Sequence, residues 1–271
     1  DIMNTRSPAD TGQVSRAAAE IYDTVFVPAL FGQFAPWLAD AARIASGERV
    51  LDVGCGTGIA ACAALARAGA RGHVAGVDIN EGMLARARHN GPAVAWHKAP
   101  AENLPFDDAS FDATLCQFAL MFLEDRTQAL REMARVTRPG GRIALLVWAT
   151  VDETPGYRDL IPLLRDIAGD AAADALTAPF VLGAQADVAA ALAGAGLMAA
   201  APRDMRGTAR HPSLDAWIDT ELAGWTLADH VTPPQVTALK AAARDRLARY
   251  AGPDGTVAFP APARLYLVDP G

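Results

Sequence analysis

The run Val50-Leu51-Asp52-Val53-Gly54-Cys55-Gly56-Thr57-Gly58 joins an apolar strand, a carboxylate and three glycines at alternate positions. Glycines so spaced let the backbone turn sharply and admit a ligand where a Cβ would collide. The alanine-rich run Ile59 to Ala68 reads as a helix, and its first N–H groups are open to a ligand. Strand, glycine turn and helix together cradle a nucleotide. The spacing then discriminates. A dinucleotide site wants Gly-x-Gly-x-x-Gly, with its third glycine where this chain has Ile59; here that glycine comes one residue early, at Gly58. This counts against NAD. A P-loop is excluded, because no Gly-Lys-Ser/Thr follows.

A second carboxylate supports a nucleoside. His73 to Asp78 reads as a buried strand ending in Asp78, twenty residues after Gly58. A carboxylate at that strand tip can accept hydrogen bonds from both ribose hydroxyls of any adenosine ligand. Proton-transfer candidates elsewhere are His97, His211, His230, Asp219, Glu221 and Asp229. Each has a plain structural alternative: His97 as a core or surface side chain, His230 as a solvated turn residue before Pro233. Trp217 and Trp225 could stack on a planar acceptor or pack in the core. Cys55, Cys62 and Cys116 are odd in number and lack metal-ligand spacing, so no metal site is expected. Cys55 reads as a small hydrophobe beside the ligand.

The elements that must position these residues follow from the pattern. Strands are expected near 49–53, 73–78, 93–98, 112–118 and 142–148, alternating with helices. That alternation predicts an α/β fold with a doubly wound parallel sheet, its ligands lying outside the carboxyl ends of the strands. After Trp148 the character changes. Helices are expected at 155–168, 185–195 and 233–250, a long strand over 198–211, and another over 256–268 broken by Pro260 and Pro262. The last two strands form an antiparallel edge. Residues 15–45 read as helices with a break near Pro28 and Pro36.

Composition narrows the partners. The formal net charge is −7, and Lys98 and Lys240 are the only lysines, so there is no basic cluster for a nucleic-acid backbone. Apolar runs are interrupted well before membrane-spanning length, and no leader peptide is expected, although residue 1 is Asp and Met3 is a possible native start. The cysteines fit a reducing cytoplasm. The oligomeric state stays open.

Four motifs in register carry a resemblance. They are Leu51-Asp52-Val53-Gly54-Cys55-Gly56-Thr57-Gly58, the strand ending in Asp78, the block Ala101-Glu102-Asn103-Leu104-Pro105-Phe106 with Ser110-Phe111-Asp112, and the run Arg131-Glu132-Met133-Ala134-Arg135-Val136-Thr137-Arg138-Pro139-Gly140-Gly141. The chain resembles class I S-adenosylmethionine (SAM) methyltransferases, and among them the ubiquinone/menaquinone C-methyltransferase (methyltransferase type 11) group. The resemblance implies a Rossmann-like sheet, SAM as cofactor, and methyl transfer to a small, cyclic or aromatic molecule at an O, N or C atom. It places Asp52, Gly54, Cys55, Gly56, Gly58, Asp78, Ile79, Met83, Ala101, Glu102, Gln117 and Phe118 around the cofactor. It also implies that the N-terminal segment, 1–45, folds over the methionine end, with Tyr22 a candidate there. The core is then 46–211, a helical cap is inserted at 212–251, and 252–271 completes the sheet. One departure stands out. Relatives often carry Gly-Asp before the Ala-Glu, where this chain has Ala99-Pro100, so adenine recognition falls to the Ala101 backbone, Glu102 or stacking. Nucleic-acid members of the family tend to carry an Asn/Asp-Pro-Pro-Tyr/Phe motif after the fourth strand, where this chain has Cys116-Gln117-Phe118-Ala119. The alternatives are a protein that holds SAM without spending its methyl, to shape a pocket for a rearrangement, and an NAD-dependent oxidoreductase.

Overall fold

The alternating apolar and helical runs fold in the expected order. The computed structural model describes residues 15–224 and 226–271, so Met3 and Trp225 lie outside the described residues. The chain opens with α1 (Arg16–Ile21), a π-helical segment (Tyr22–Phe31) and α2 (Phe34–Ala41). The nucleotide-cradling half comprises β1 (Arg49–Val53), α3 (Ile59–Ala68), β2 (His73–Asp78), α4 (Glu81–Asn90), β3 (Ala95–Lys98), β4 (Phe111–Gln117), α5 (Arg126–Val136) and β5 (Thr137–Trp148). Then come α6 (Pro155–Ala168), α7 (Asp170–Thr177), α8 (Gln185–Gly194), β6 (Arg203–His211), α9 (Leu214–Ala223), α10 (Pro233–Arg246) and β7 (Val257–Val268).

The seven strands form one sheet in the order β3-β2-β1-β4-β5-β7-β6. β1 to β5 pair in parallel, whereas β7 is antiparallel to both β5 and β6. The sheet is doubly wound, and order reverses between β1 and β4, which opens a crevice at their carboxyl ends. β1 is buried on both faces after its first residue, which is why its sequence is apolar there except at Asp52.

Three expectations about element bounds are corrected. Pro260 and Pro262 do not break β7, which runs unbroken for 12 residues. The Pro262 carbonyl accepts a hydrogen bond from Ala149 N (3.0 Å). The N–H that Pro262 lacks, and that Pro260 lacks two residues earlier, belongs on that same side, where β5 has already ended at Trp148. β5 starts at Thr137 rather than 142; Thr137 pairs with Phe111 and Arg142 with Ala113, so 138–141 bulge out of the ladder. In the N-terminal segment the helix is interrupted at Gly32 and Gln33 rather than at the prolines. Pro28 is absorbed in the π-helical segment, whose wider turn closes with Gly32 N donating to Val27 O (2.7 Å). Pro36 lies in the first turn of α2, where no N–H is needed.

The N-terminal segment crosses the carboxyl ends of the strands. Asp23 binds Arg86 (2.6 Å) and Asn90 (2.9 Å) on α4. Phe31 meets Phe118 after β4 and Trp148 at the end of β5, both at 5.7 Å between ring centroids. Gln33 then donates to Thr208 O (2.9 Å) and accepts from Thr208 N (3.1 Å) on β6. α9 and α10 pack on each other, α10 packs on α6, and α9 touches both α1 and the π-helical segment. Residues 212–251 thus share one helical layer with 155–177 and the N-terminal helices.

Candidate functional site

The glycine loop is held by its neighbours. Gly54 N and Cys55 N both donate to Val77 O on β2 (2.8 and 3.0 Å). Gly54 and Gly58 have positive φ, and a Cβ would lie 2.4 Å from Ala119 in the first case and 2.5 Å from Trp96 in the second. Those two glycines serve packing. Gly56 differs: its φ is +53°, and a Cβ there would meet nothing within 4 Å. It faces open space, as a ligand-facing position should.

Two carboxylates organise the loop. Asp52 Oδ2 accepts from Ala61 N (3.0 Å) and so caps the start of α3 across the loop. Burial pushes this carboxyl up to about 8, with the Asp78 charge adding to it. Asp78 Oδ2 accepts from Gly56 N and Oδ1 from Asn80 N, each at 2.8 Å. Burial raises its pKa too, against those backbone donors. The side chain expected to meet a ribose therefore also ties the glycine loop to the tip of β2.

Three buried polar atoms around this loop lack a protein partner: Asp52 Oδ1, Thr57 Oγ1 and Gln117 Oε1. Buried polar atoms are rarely left unpaired, so their presence at the carboxyl ends of β1 and β4 fits a polar ligand in the crevice. Thr57 was not among the expected cofactor residues, although it stands inside the glycine motif. Ile79 is 48% exposed, an open apolar side chain next to Asp78. Met83 follows on α4, its N–H bonded to the Asn80 cap (2.9 Å).

The remaining expected cofactor residues divide. Cys55 spends its N–H on Val77 and its carbonyl on Gly58 N (2.9 Å). Its thiol is buried, which raises its pKa, so the side chain behaves as a small hydrophobe. Ala101 is buried. The Glu102 carboxylate turns to Asp125 N (3.4 Å). Phe118 adopts φ +51° and stacks on Trp148 at 3.8 Å. The loop carrying Ala101 to Asp108 is held by the Arg131–Arg135 motif. Arg135 donates to the Leu104 and Phe106 carbonyls (3.1 and 2.7 Å) and to Asp108 (2.8 Å), while Glu132 accepts from Leu104 N (2.8 Å). Two motifs far apart in sequence are one hydrogen-bonded unit.

Tyr22 comes down over this crevice. It stacks on Phe31 at 5.1 Å. Burial first, then the charges of Asp78 and Asp23, raise its hydroxyl pKa.

The proton-transfer candidates are widely scattered. His97 packs edge-on against Phe106 (5.0 Å) near the β3 edge of the sheet. His230 and Asp229 are exposed, and Asp219 pairs with Lys240. His211 is 3% exposed and stacks near Trp217 (6.1 Å); neither ring nitrogen has a hydrogen-bond partner, and burial lowers its pKa to about 4. Trp217 is fully buried against Tyr157 and Phe259, a core residue rather than an open platform. Glu221 is the outlier. It is 2% exposed. Its Oε1 accepts from the Tyr157 hydroxyl and from Trp217 Nε1 (3.0 Å), and its Oε2 has no partner. Burial pushes this carboxyl up to about 7. Among the described residues no group of three or more His, Cys, Asp and Glu side chains is placed to hold a metal ion.

The sheet is Rossmann-like, and residues 51–145, which hold the glycine loop, match the Methyltransf_11 family model, described as "Methyltransferase domain". Within it, the chain is similar to the quinone methyltransferase group that its motifs resemble. It is 36% identical over 137 residues to a 2-phytyl-1,4-naphtoquinone methyltransferase of Nostoc punctiforme, covering 47% of this chain and 60% of the relative. It is 35% identical over 155 residues to a demethylmenaquinone methyltransferase of Corynebacterium urealyticum, covering 56% of this chain and 65% of the relative. The chain thus spans under two thirds of the length of these curated relatives. Among solved structures, a putative methyltransferase from Bacillus halodurans superposes with a TM-score of 0.60 at 20% identity, over 87% of this chain and 98% of that one. The [4+2]-cyclase SpnF superposes with a TM-score of 0.60 at 17% identity, over 96% and 97%. At those identities the likeness is one of fold.

Proposed function

We propose that this protein is a SAM-dependent methyltransferase acting on a small, cyclic or aromatic molecule. The observation that carries the reading is the crevice at the carboxyl ends of β1, β2 and β4. There Gly56 leaves room for a ligand, Asp78 sits at the strand tip, and Asp52, Thr57 and Gln117 each present an unpartnered buried oxygen. When bound, SAM supplies a methyl group on a sulfonium that is already a good leaving group.

The residues then have separable tasks. Gly54, Cys55, Gly56 and Gly58 shape the cradle, with Cys55 contributing backbone and bulk. Asp78 accepts from the ribose hydroxyls with the oxygen lone pairs left over from Gly56 and Asn80. Ile79 and Met83 provide the apolar bed for adenine, with the Ala101 backbone reading its edge. Gln117 and Phe118 line the donor end. Tyr22 and the described part of the N-terminal segment, residues 15–45, shield that end from water, and 212–251 caps the acceptor side. Methyl transfer needs mainly alignment, and holding donor and acceptor in attack geometry contributes about 7–11 kcal/mol.

The acidic balance of the chain argues against nucleic acid as acceptor. Three free cysteines support a cytoplasmic location, and no single helix among the described residues is long and apolar enough to cross a membrane. Calorimetric binding of SAM against NAD tests the cofactor. A mass-spectrometric screen of aromatic and heterocyclic acceptors for a gain of one methyl, with S-adenosylhomocysteine followed in parallel, tests the reaction. Tight NAD binding without SAM binding would overturn the reading. Because the fold is shared with a cyclase, product formed without S-adenosylhomocysteine would move the protein to the non-transferring alternative.

A further inference from the structure

A narrow cavity lies behind the aromatic layer that closes the cofactor crevice. Leu30, Phe31, Trp148, Tyr157, Phe180 and Glu221 are among the residues that line it, and about 20 Å³ of it can hold the centre of a water-sized molecule. That is roughly one water's room. Its wall is shared with the cofactor side: Phe31 stacks on Tyr22 above Asp78, and Trp148 stacks on Phe118 after β4. A molecule entering this space would part Leu30 and Phe31 on the N-terminal segment from Pro179 and Phe180 opposite. Glu221 is the one ionisable carboxyl among the lining residues, the other polar groups being those of Thr154, Tyr157 and Trp148. Tyr157 and Trp217 both donate to the same oxygen, Oε1, so Oε2 is left over and buried.

We propose that Glu221 is the proton acceptor for the methyl-accepting group, and that the cavity receives a flat, apolar aromatic molecule bearing one acidic O–H. This rests on the methyltransferase reading above. Two fixed donors orient the carboxylate and hold Oε2 toward the incoming hydroxyl. As the acceptor oxygen takes the methyl, its O–H electron pair stays on oxygen, its proton goes to Glu221 Oε2, and the pair of the broken S–CH3 bond stays on sulfur. The proton returns to water when product leaves. A lone carboxylate in an apolar wall recognises such a molecule through one hydrogen bond, while the ring fills the apolar remainder.

The surroundings support this assignment. Burial keeps the Glu221 carboxyl near neutrality, where a carboxylate can both take and release a proton. Tyr157 stays protonated, since burial and the Glu221 charge both raise its pKa. His211 on β6 reaches Trp217 and is held neutral by burial. From α10, Lys240 and Arg244 face outward and are engaged by Asp219 and Asp215. Leu30 and Phe31 are the groups offered by the π-helical segment. No cation answers the Glu221 charge among these neighbours.

The test uses the full chain saturated with S-adenosylhomocysteine, and two probes of one shape, 2-naphthol and naphthalene. At pH 8 the wild type should bind 2-naphthol at least tenfold more tightly than naphthalene, as a hydrogen bond to a charged group allows. Lowering the pH to 5.5 should shrink that preference. Glu221→Gln, which keeps an oxygen for Tyr157 and Trp217, should retain naphthalene and S-adenosylhomocysteine affinity but reduce the preference to about twofold at both pH values. Tyr157→Phe should keep the preference and move its pH midpoint upward. An undiminished, pH-dependent preference in Glu221→Gln, or equal binding of both probes by the wild type, would overturn the proposal. Failure of the wild type to bind S-adenosylhomocysteine would instead overturn the methyltransferase reading, and the naphthol comparison is read equally well without it.

Discussion

Replacing Glu221 by glutamine should stabilise the protein above neutral pH, because the native carboxyl is buried with no cation beside it. Its pKa stands at about 7 against an ordinary 4.5. A group whose folded pKa is raised contributes its full stability below the unfolded pKa and loses it as pH rises through the folded one. The window here is pH 4.5 to 7. The difference between the two pKa values, at about 1.4 kcal/mol per pH unit, is about 3 kcal/mol by pH 8. Glutamine mimics the protonated acid, with its oxygen accepting from Tyr157 and Trp217 and its amide standing where Oε2 stood. Asp52, whose carboxyl is pushed up to about 8, titrates alike in both proteins and drops out of the comparison. A chain of 271 residues has an unfolding entropy of about 0.6 kcal/mol per kelvin, so the melting temperatures should part by roughly 5 °C at pH 8. At pH 5 the gap should be under about 1 kcal/mol. Scanning calorimetry of both proteins over pH 5 to 8 makes the comparison. A gap that does not change with pH, or a variant that becomes relatively less stable as pH rises, would refute the reasoning.

Three further outcomes are expected. Gly56→Val should abolish S-adenosylhomocysteine binding while circular dichroism stays near native, because the new side chain enters open space in the crevice and is strained locally at φ +53°; near-native affinity by calorimetry would remove the loop from the site. Asp78→Ala should weaken SAM and S-adenosylhomocysteine alike by roughly tenfold to a hundredfold, since a charged hydrogen bond is worth about 1.5–3 kcal/mol, and it should also loosen the glycine loop that Asp78 ties through Gly56 N. Asp78→Asn should be milder, and equal affinities across the three proteins would show the ribose is held elsewhere. Asp23→Ala removes the links to Arg86 and Asn90 on α4, so amide exchange over residues 16–31 should quicken without ligand and S-adenosylhomocysteine should dissociate faster by a few fold. Unchanged exchange there would mean that the aromatic packing alone holds the segment down.

The local features of this chain were legible in its sequence because they depend on residues close together. Three alternate glycines after Asp52, a strand ending in Asp78 and a helix stopped before Gly140 each specify a strand-turn-helix unit by short-range sterics and hydrogen bonding. Their alternation was enough to announce a doubly wound sheet with a crevice at its carboxyl ends. The family motifs supplied the residues expected on the cofactor side, and the structure places Asp52, Thr57, Asp78 and Gln117 around that crevice. The N-terminal prolines misled, since proline signals a break only where the helix would need its N–H, and a π turn or a first turn does not. Pro260 and Pro262 misled for the same reason, their missing donors falling beyond the end of β5.

Only the tertiary structure decided what Glu221 is. In sequence it was one of six titratable proton-transfer candidates, four of them crowded between Asp219 and His230 at the end of a helix and after it. Its distinction depends on Tyr157, 64 residues away, and on Trp217 binding the same oxygen. Burial, orphaned atoms and a shared cavity wall arise from long-range packing, which no local pattern encodes. A raised pKa is likewise a property of the place where a side chain ends up, and that place is fixed by helices and strands drawn from both halves of the chain.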